Sequence, residues 1–74
     1  MIPRSQIIGR LREENYTHSK QGKRVDILRQ HGTGQHISVP RRDLFTPQEA
    51  GIILRLAGIP SDRVEQFLKD CLKD

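Results

Sequence analysis

The spacing of apolar residues along this chain changes period twice. Ile7, Ile8 and Leu11 stand three and four apart, the interval that lines one face of a helix. Between Tyr16 and Pro40 the interval drops to two. Val25 and Ile27 alternate with Arg24 and Asp26, and Ile37 and Val39 alternate with His36 and Ser38, as expected for strands covered on one side. After Phe45 the helical interval returns in Ala50, Ile53, Leu54 and Ala57, and again in Val64, Phe67, Leu68, Cys71 and Leu72. Each apolar stripe needs a partner face, so helices on both sides of a short meander are expected to fold back onto it.

The punctuation sharpens these segments. A first helix runs from about Pro3 to Glu14, and Gly9 within it hints at close packing, since glycine costs about 1 kcal/mol against alanine there. Gln21-Gly22 and Gly32-Thr33-Gly34 supply turns between strands at about Tyr16–Lys20, Arg24–Arg29 and Gln35–Val39. Pairing Ile27 with Ile37 and Val25 with Val39 buries those four and leaves Arg24, Asp26, Leu28, His36 and Ser38 on an open face. Thr46-Pro47-Gln48-Glu49 is a capping box with proline at the first helical position, and Gly58 followed by Pro60 ends that helix. Ser61-Asp62 caps a third helix extending to residue 74. The fold class is α+β: an α-β-β-β-α core with an antiparallel three-stranded sheet, plus a C-terminal helix. Residues 1–74 form one domain.

Seventy-four residues allow one modest core, because so short a chain buries only about 60% of its unfolded surface. No apolar stretch approaches the roughly 18 residues that span a bilayer, and no signal-peptide apolar region opens the chain, so a cytoplasmic protein without membrane partners is expected. Cys71 is the sole cysteine, which excludes an internal disulfide. One thiol and three scattered histidines make no structural zinc site, and neither metal nor cofactor is expected. Charge is uneven: residues 1–45 carry nine basic and four acidic side chains, residues 46–74 four basic and five acidic. A basic half beside a near-neutral half suggests one surface for a polyanion.

The segment from Pro47 to Ile53-Leu54-Arg55-Leu56-Ala57-Gly58-Ile59 resembles the second helix of the HicA-type toxins with its terminating Ala-Gly-aliphatic. Val39-Pro40, Tyr16 and Lys20-Gln21-Gly22 match the same pattern, so the likeness covers about residues 3–59 and leaves 61–74 as an added helix. The resemblance implies a small bacterial RNA-cleaving protein with a double-stranded-RNA-binding-like fold, paired with a HicB-type antitoxin. That family places its catalytic histidine just after a glycine entering the second strand, as Gly-Ser-His, whereas this chain reads Gly22-Lys23-Arg24-Val25. Activating a ribose 2′-hydroxyl needs a group able to accept a proton near neutral pH, and arginine cannot do so. The expectation is a HicA-like RNA-binding protein, a degenerate mRNA interferase. The alternative is a protein-interaction module docking an antitoxin-type partner or a second copy of the chain.

Lys20, Lys23, Arg24, Arg29, Arg41 and Arg42 are the candidate RNA ligands, reading a structured or double-stranded backbone by charge and shape. His36, diagonal to Asp26 in the inferred register and near Arg24, is the candidate for an acid–base site. His18 reads as a structural or sheet-edge residue and His31 as part of a turn.

Overall fold

A computed structural model of the protein describes residues 1–72, and the last two positions of the expected third helix, Lys73 and Asp74, lie outside the described residues. The elements run β1 (Ile2–Pro3), α1 (Arg4–Glu13), β2 (Tyr16–Gln21), β3 (Val25–Gln30), β4 (His36–Pro40), β5 (Leu44–Phe45), α2 (Pro47–Leu56) and α3 (Ser61–Leu72). β2, β3 and β4 form the antiparallel meander with β3 in the centre. Helices α1 and α2 pack on one face of it, and α3 packs on α2. A two-stranded sheet of β1 and β5, pairing Ile2 with Phe45 and Pro3 with Leu44, was not legible in the spacing. It ties the start of α1 to the approach to α2 and buries both Ile2 and Phe45.

Local chemistry accounts for the helix ends. Thr46 Oγ1 accepts from the Glu49 amide while the Glu49 carboxylate accepts from the Thr46 amide, the reciprocal capping box its spacing requires. At the other end Gly58 adopts φ +91°, with its amide on the Arg55 carbonyl and the Ile59 amide on the Leu54 carbonyl, a Schellman closure. The buried Tyr16 hydroxyl donates to the Ala57 carbonyl at 2.8 Å, so the start of β2 satisfies one of the carbonyls that α2 leaves open. Asn15 turns the chain out of α1 at φ 70°, a left-handed conformation that asparagine tolerates better than most residues. Gly9 corrects an expectation: a Cβ there would meet nothing within 4 Å, so no backbone packs against it.

The register of β3 is the larger correction. Leu28 pairs with Ile37 and Asp26 with Val39, while Ile27 faces Ser38 and Val25 faces Pro40. Relative to the expected pairing β3 is displaced by one residue, which sends every one of its side chains to the other face. Leu28 and Asp26 point under the helices at 0% and 2% exposure, and Val25, 38% exposed, lies with the half-buried Ile27 on the open face. Ile7, Leu11, Ile37, Val39, Ile53 and Leu54 are buried as the spacing required. The physical reason is Arg4, which ion-pairs with Asp26 from the first turn of α1 and makes an inward carboxylate tolerable. With Asp26 accommodated, the larger Leu28 takes the central core position opposite Ile37.

Two stability measurements check this arrangement. In urea denaturation Leu28→Ala is expected to lose about 2–5 kcal/mol, whereas Val25→Ala is expected to lose under about 1 kcal/mol. Gly9→Ala is expected to gain about 0.5–1 kcal/mol, because the helix accepts the methyl group without a clash.

Candidate functional site

Three chain segments converge on the Asp26 carboxylate. Arg4 reaches it from the first turn of α1, donating through its Nη2 to Oδ2 and through its Nε to the Pro40 carbonyl at 3.3 Å. From β2, the Nε2 of His18 stands 3.5 Å from Oδ2. Arg41, the first residue after β4, brings its Nε to 3.8 Å from Oδ1 and donates its Nη1 to the Gly22 carbonyl at 2.9 Å. Its backbone amide bonds the Arg24 carbonyl, which holds this exit against the β2–β3 turn. Oδ1 itself is buried and accepts no hydrogen bond among the described residues. Desolvation pushes the Asp26 carboxyl upward, but Arg41, Arg4 and His18 together outweigh it and hold the group below the usual carboxylate range.

A β-bulge places His18 here. Between His18 and Lys20 the ladder gains one residue, Ser19, so that Lys20 rather than Ser19 lies opposite Ile27. His18, paired with Leu28, stays on the helix side of the edge strand with its side chain 34% exposed, while Lys20 is sent to the open face. The same register separates the expected pair. His36 lies opposite Arg29 on the open face, and Asp26 is three positions along β3 on the other face, so the two form no dyad.

The six basic candidates divide. Lys23 and Arg24 in the β2–β3 turn and Lys20 at the end of β2 are exposed and have no ion-pair partner among the described residues. Arg41 lies beside them through its contact with the turn. Arg42 is engaged elsewhere: it donates to Glu49 at 2.7 Å and stacks 4.8 Å above the Phe45 ring, so it braces the first turn of α2. With the Thr46 amide, Arg42 holds the Glu49 carboxyl below its usual range against the opposing desolvation. Arg29 is at the other end of β3, about 16 Å along the strand from Arg24 at about 3.3 Å per residue. There it borders a small hollow with Thr17, His18, Ser19 and His31, in which the Thr17 hydroxyl and His31 Nε2 lie 3.0 Å apart. Arg4, which sequence reasoning did not single out, proves central to the cluster. Its place in the first helical turn carried no signal of a partner on a strand 22 residues away.

Other groups offer little chemistry. Burial and the neighbouring Asp70 push the Cys71 thiol up, which disfavours the reactive thiolate. Among the described residues no three histidine, cysteine or carboxylate side chains are grouped to hold a metal ion, and no helix is long and apolar enough to cross a membrane. Comparison with family models, curated proteins and solved structures finds no match to the chain.

The depressed Asp26 carboxyl has a consequence for stability. As pH falls, the unfolded chain takes up this proton before the folded one does, so acid favours unfolding across that interval. The contribution is fully present above the ordinary carboxylate range and is lost as pH drops through the lower folded value. Asp26→Asn is therefore expected to lower the melting temperature at neutral pH and to flatten the acid limb of a melting-temperature profile recorded from neutral to strongly acidic pH. Glu49→Gln is expected to flatten the same limb independently.

Proposed function

We propose that this chain is a HicA-like RNA-binding protein that takes phosphate groups of a structured RNA at the basic end of its sheet. The observation carrying this reading is the trio Lys20, Lys23 and Arg24, without an ion-pair partner among the described residues and gathered by the β2–β3 hairpin beside Arg41. Ammonium and guanidinium groups without local counter-ions are available to displace the condensed cations of a polyanion. Duplex or otherwise structured RNA fits better than splayed single strands, because the aromatic residues are otherwise engaged. Tyr16 and Phe45 are fully buried and Phe67 is packed against the core, so neither tyrosine nor phenylalanine offers an open ring face for a base to stack on. The likeness of residues 3–59 to the HicA pattern supports the same assignment, with a bacterial toxin–antitoxin setting and a HicB-type antitoxin as partner. At the family's histidine position this protein has the turn Gly22-Lys23-Arg24-Val25, suited to gripping a phosphate but not to abstracting a proton.

One observation favours the protein-interaction reading. Ile52 and Leu56 lie one turn apart on α2 and are 56% and 63% exposed, an apolar strip that an antitoxin-type partner or a second copy could cover.

The discriminating experiment is RNA binding at graded salt. With three or four phosphate contacts the affinity is expected to fall roughly a hundredfold between about 50 and about 200 mM salt. Lys23→Glu with Arg24→Glu is expected to weaken binding much more than Arg29→Glu, with unchanged melting temperature in each variant. Absence of RNA binding at low salt, together with a dimer or a captured antitoxin, transfers the function to the apolar strip.

A further inference from the structure

We propose that the outer edge of β4, flanked by the exposed Ile52 and Leu56 of α2, is a self-association surface through which two copies of this chain join their sheets antiparallel about Ser38. The inference is independent of the RNA-binding reading, because the basic hairpin lies at the end of the sheet and not along this edge.

Backbone direction supplies the first part of the case. In the β3–β4 ladder Asp26 pairs with Val39 and Leu28 with Ile37, in phase with the bonds from the Arg41 amide to the Arg24 carbonyl and from the Gln30 amide to the Gln35 carbonyl. Ile37 and Val39 therefore turn their amides and carbonyls towards β3, and His36 and Ser38 turn theirs outward. β4 is the last strand of its sheet, and no turn, loop or further strand among the described residues bonds those outward groups. The two edges differ. β2 is broken by the Ser19 bulge and carries Lys20, features that discourage strand addition, whereas β4 pairs without interruption and bears no carboxylate, lysine or arginine.

The strand's own sequence completes the pairing. With Ser38 opposite Ser38 of the second copy, each amide donates to the other's carbonyl. The His36 amide then reaches the Pro40 carbonyl, which has one partner within the chain, Arg4 Nε at 3.3 Å, and a second lone pair to offer. Centring the pair on Pro40 would oppose two residues without an amide hydrogen. Centring it on His36 would set Ser38 against Gly34, whose φ of +75° is not extended.

Helix α2 adds apolar cover on the same side. It is the helix that packs on β4, while α1 packs on β2. Its buried Ala50, Ile53 and Leu54 belong to the core, and Gly51 faces α3, where an added Cβ would stand 3.6 Å from Leu68. α3 in turn reaches α1, with Cys71 Sγ donating to Gln6 Oε1 at 2.8 Å. Ile52, about 100° round the helix from Gly51, and Leu56 one turn on look the other way, past β4. The Gln35 side chain donates to the Leu56 carbonyl and Arg42 to Glu49, each at 2.7 Å, so α2 runs antiparallel to β4. Midway between these two ties stand Ser38 on the strand and Ile52 on the helix. A two-fold axis at Ser38 thus brings Ile52 towards its own copy. It also turns Arg55, which has no ion-pair partner among the described residues, towards Glu49 of the second chain. An isologous contact requires a patch complementary to itself, and an apolar centre with opposite charges at its two ends meets that requirement.

The test is light scattering of the full chain over a concentration series, combined with disulfide trapping. Wild type is expected to reach twice the mass of the chain as concentration rises. Ile52→Glu with Leu56→Glu is expected to raise the dissociation constant of the dimer at least about 10-fold, with helix and strand content unchanged by circular dichroism. In a Cys71→Ser background, Ser38→Cys is expected to form a disulfide-linked dimer under mild oxidation, because opposed residues of a bonded antiparallel pair have Cα atoms about 5.5 Å apart, within the span of a disulfide. Thr17→Cys in the same background, exposed on the β2 edge, is expected to stay unlinked. Lys23→Glu with Arg24→Glu is expected to dimerise as wild type does, which separates this surface from the RNA site. A chain monomeric at every concentration, a dimer indifferent to the Ile52 and Leu56 substitutions, or trapping at position 17 and not at 38 overturns the proposal. A chain that stays monomeric alone and uses β4 only in a complex with an antitoxin-type protein overturns it too, and gives the edge to that partner.

Discussion

The carboxylate of Asp26 sits under the helices of a chain with very little interior, and its neutralisation by Arg4 governs the architecture around it. A charge in that position is unfavourable unless a partner arrives with correct geometry, because water is withdrawn from it and the attraction must compensate. Arg4 meets that condition only because β1 and β5 pair and set the start of α1 over β3. The ion pair then links an N-terminal helix, a central strand and, through the Pro40 carbonyl, the end of β4. Leu28 becomes a core residue by the same displacement of register, since it shares the face of Asp26. What looks like a local salt bridge is therefore the reason a whole strand presents one face rather than the other.

That choice of face also distributes the functional chemistry. Had β3 presented Val25 and Ile27 inward, Asp26 would have joined His36 in the open and β3 would have placed no acid under the helices. Instead the acid lies between Arg4, His18 and Arg41, and the open face carries Val25, Ile27, Arg29 and His36. The hairpin beyond β2 holds cations that have no ion-pair partner among the described residues, next to a cluster whose acid is approached by two guanidiniums and an imidazole. The exposed cations and the buried acid thus become neighbours at one end of the sheet, through a turn whose carbonyls at Gly22 and Arg24 both accept hydrogen bonds from Arg41.

Helix α2 is held chiefly by backbone satisfaction. The Thr46 and Glu49 capping box opens α2, Gly58 closes it, and the Tyr16 hydroxyl reaches the Ala57 carbonyl from the sheet. Arg42 strengthens the opening by holding Glu49 in place, so one of the basic residues of the N-terminal half serves the fold instead of a ligand. Helix α3 docks on α2 with Val64 buried and Phe67, Leu68 and Cys71 half-buried.

Much of this was legible in the chain alone, for reasons that lie within a few residues of one another. The change of apolar period located the helices and the meander, because side-chain direction repeats every 3.6 residues in one and every two in the other. Thr46 with Glu49 and Gly58 with Pro60 marked α2, because caps and left-handed ends are contacts across three or four positions. The faces of β4 followed from Ile37 and Val39, which have no competing apolar set. β3 was different. Its two alternating sets, Val25 with Ile27 and Asp26 with Leu28, differ by a single charge, and hydrophobicity alone favours burying the first. Only the folded chain could reverse that choice, since the guanidinium that makes Asp26 acceptable inside comes from a residue 22 positions earlier and is delivered by two short strands with no periodic signature. The sequence alone determined the elements and most of the core; the tertiary structure decided which face of β3 is buried, and with it which histidine stands beside the acid, because a long-range ion pair has no local pattern.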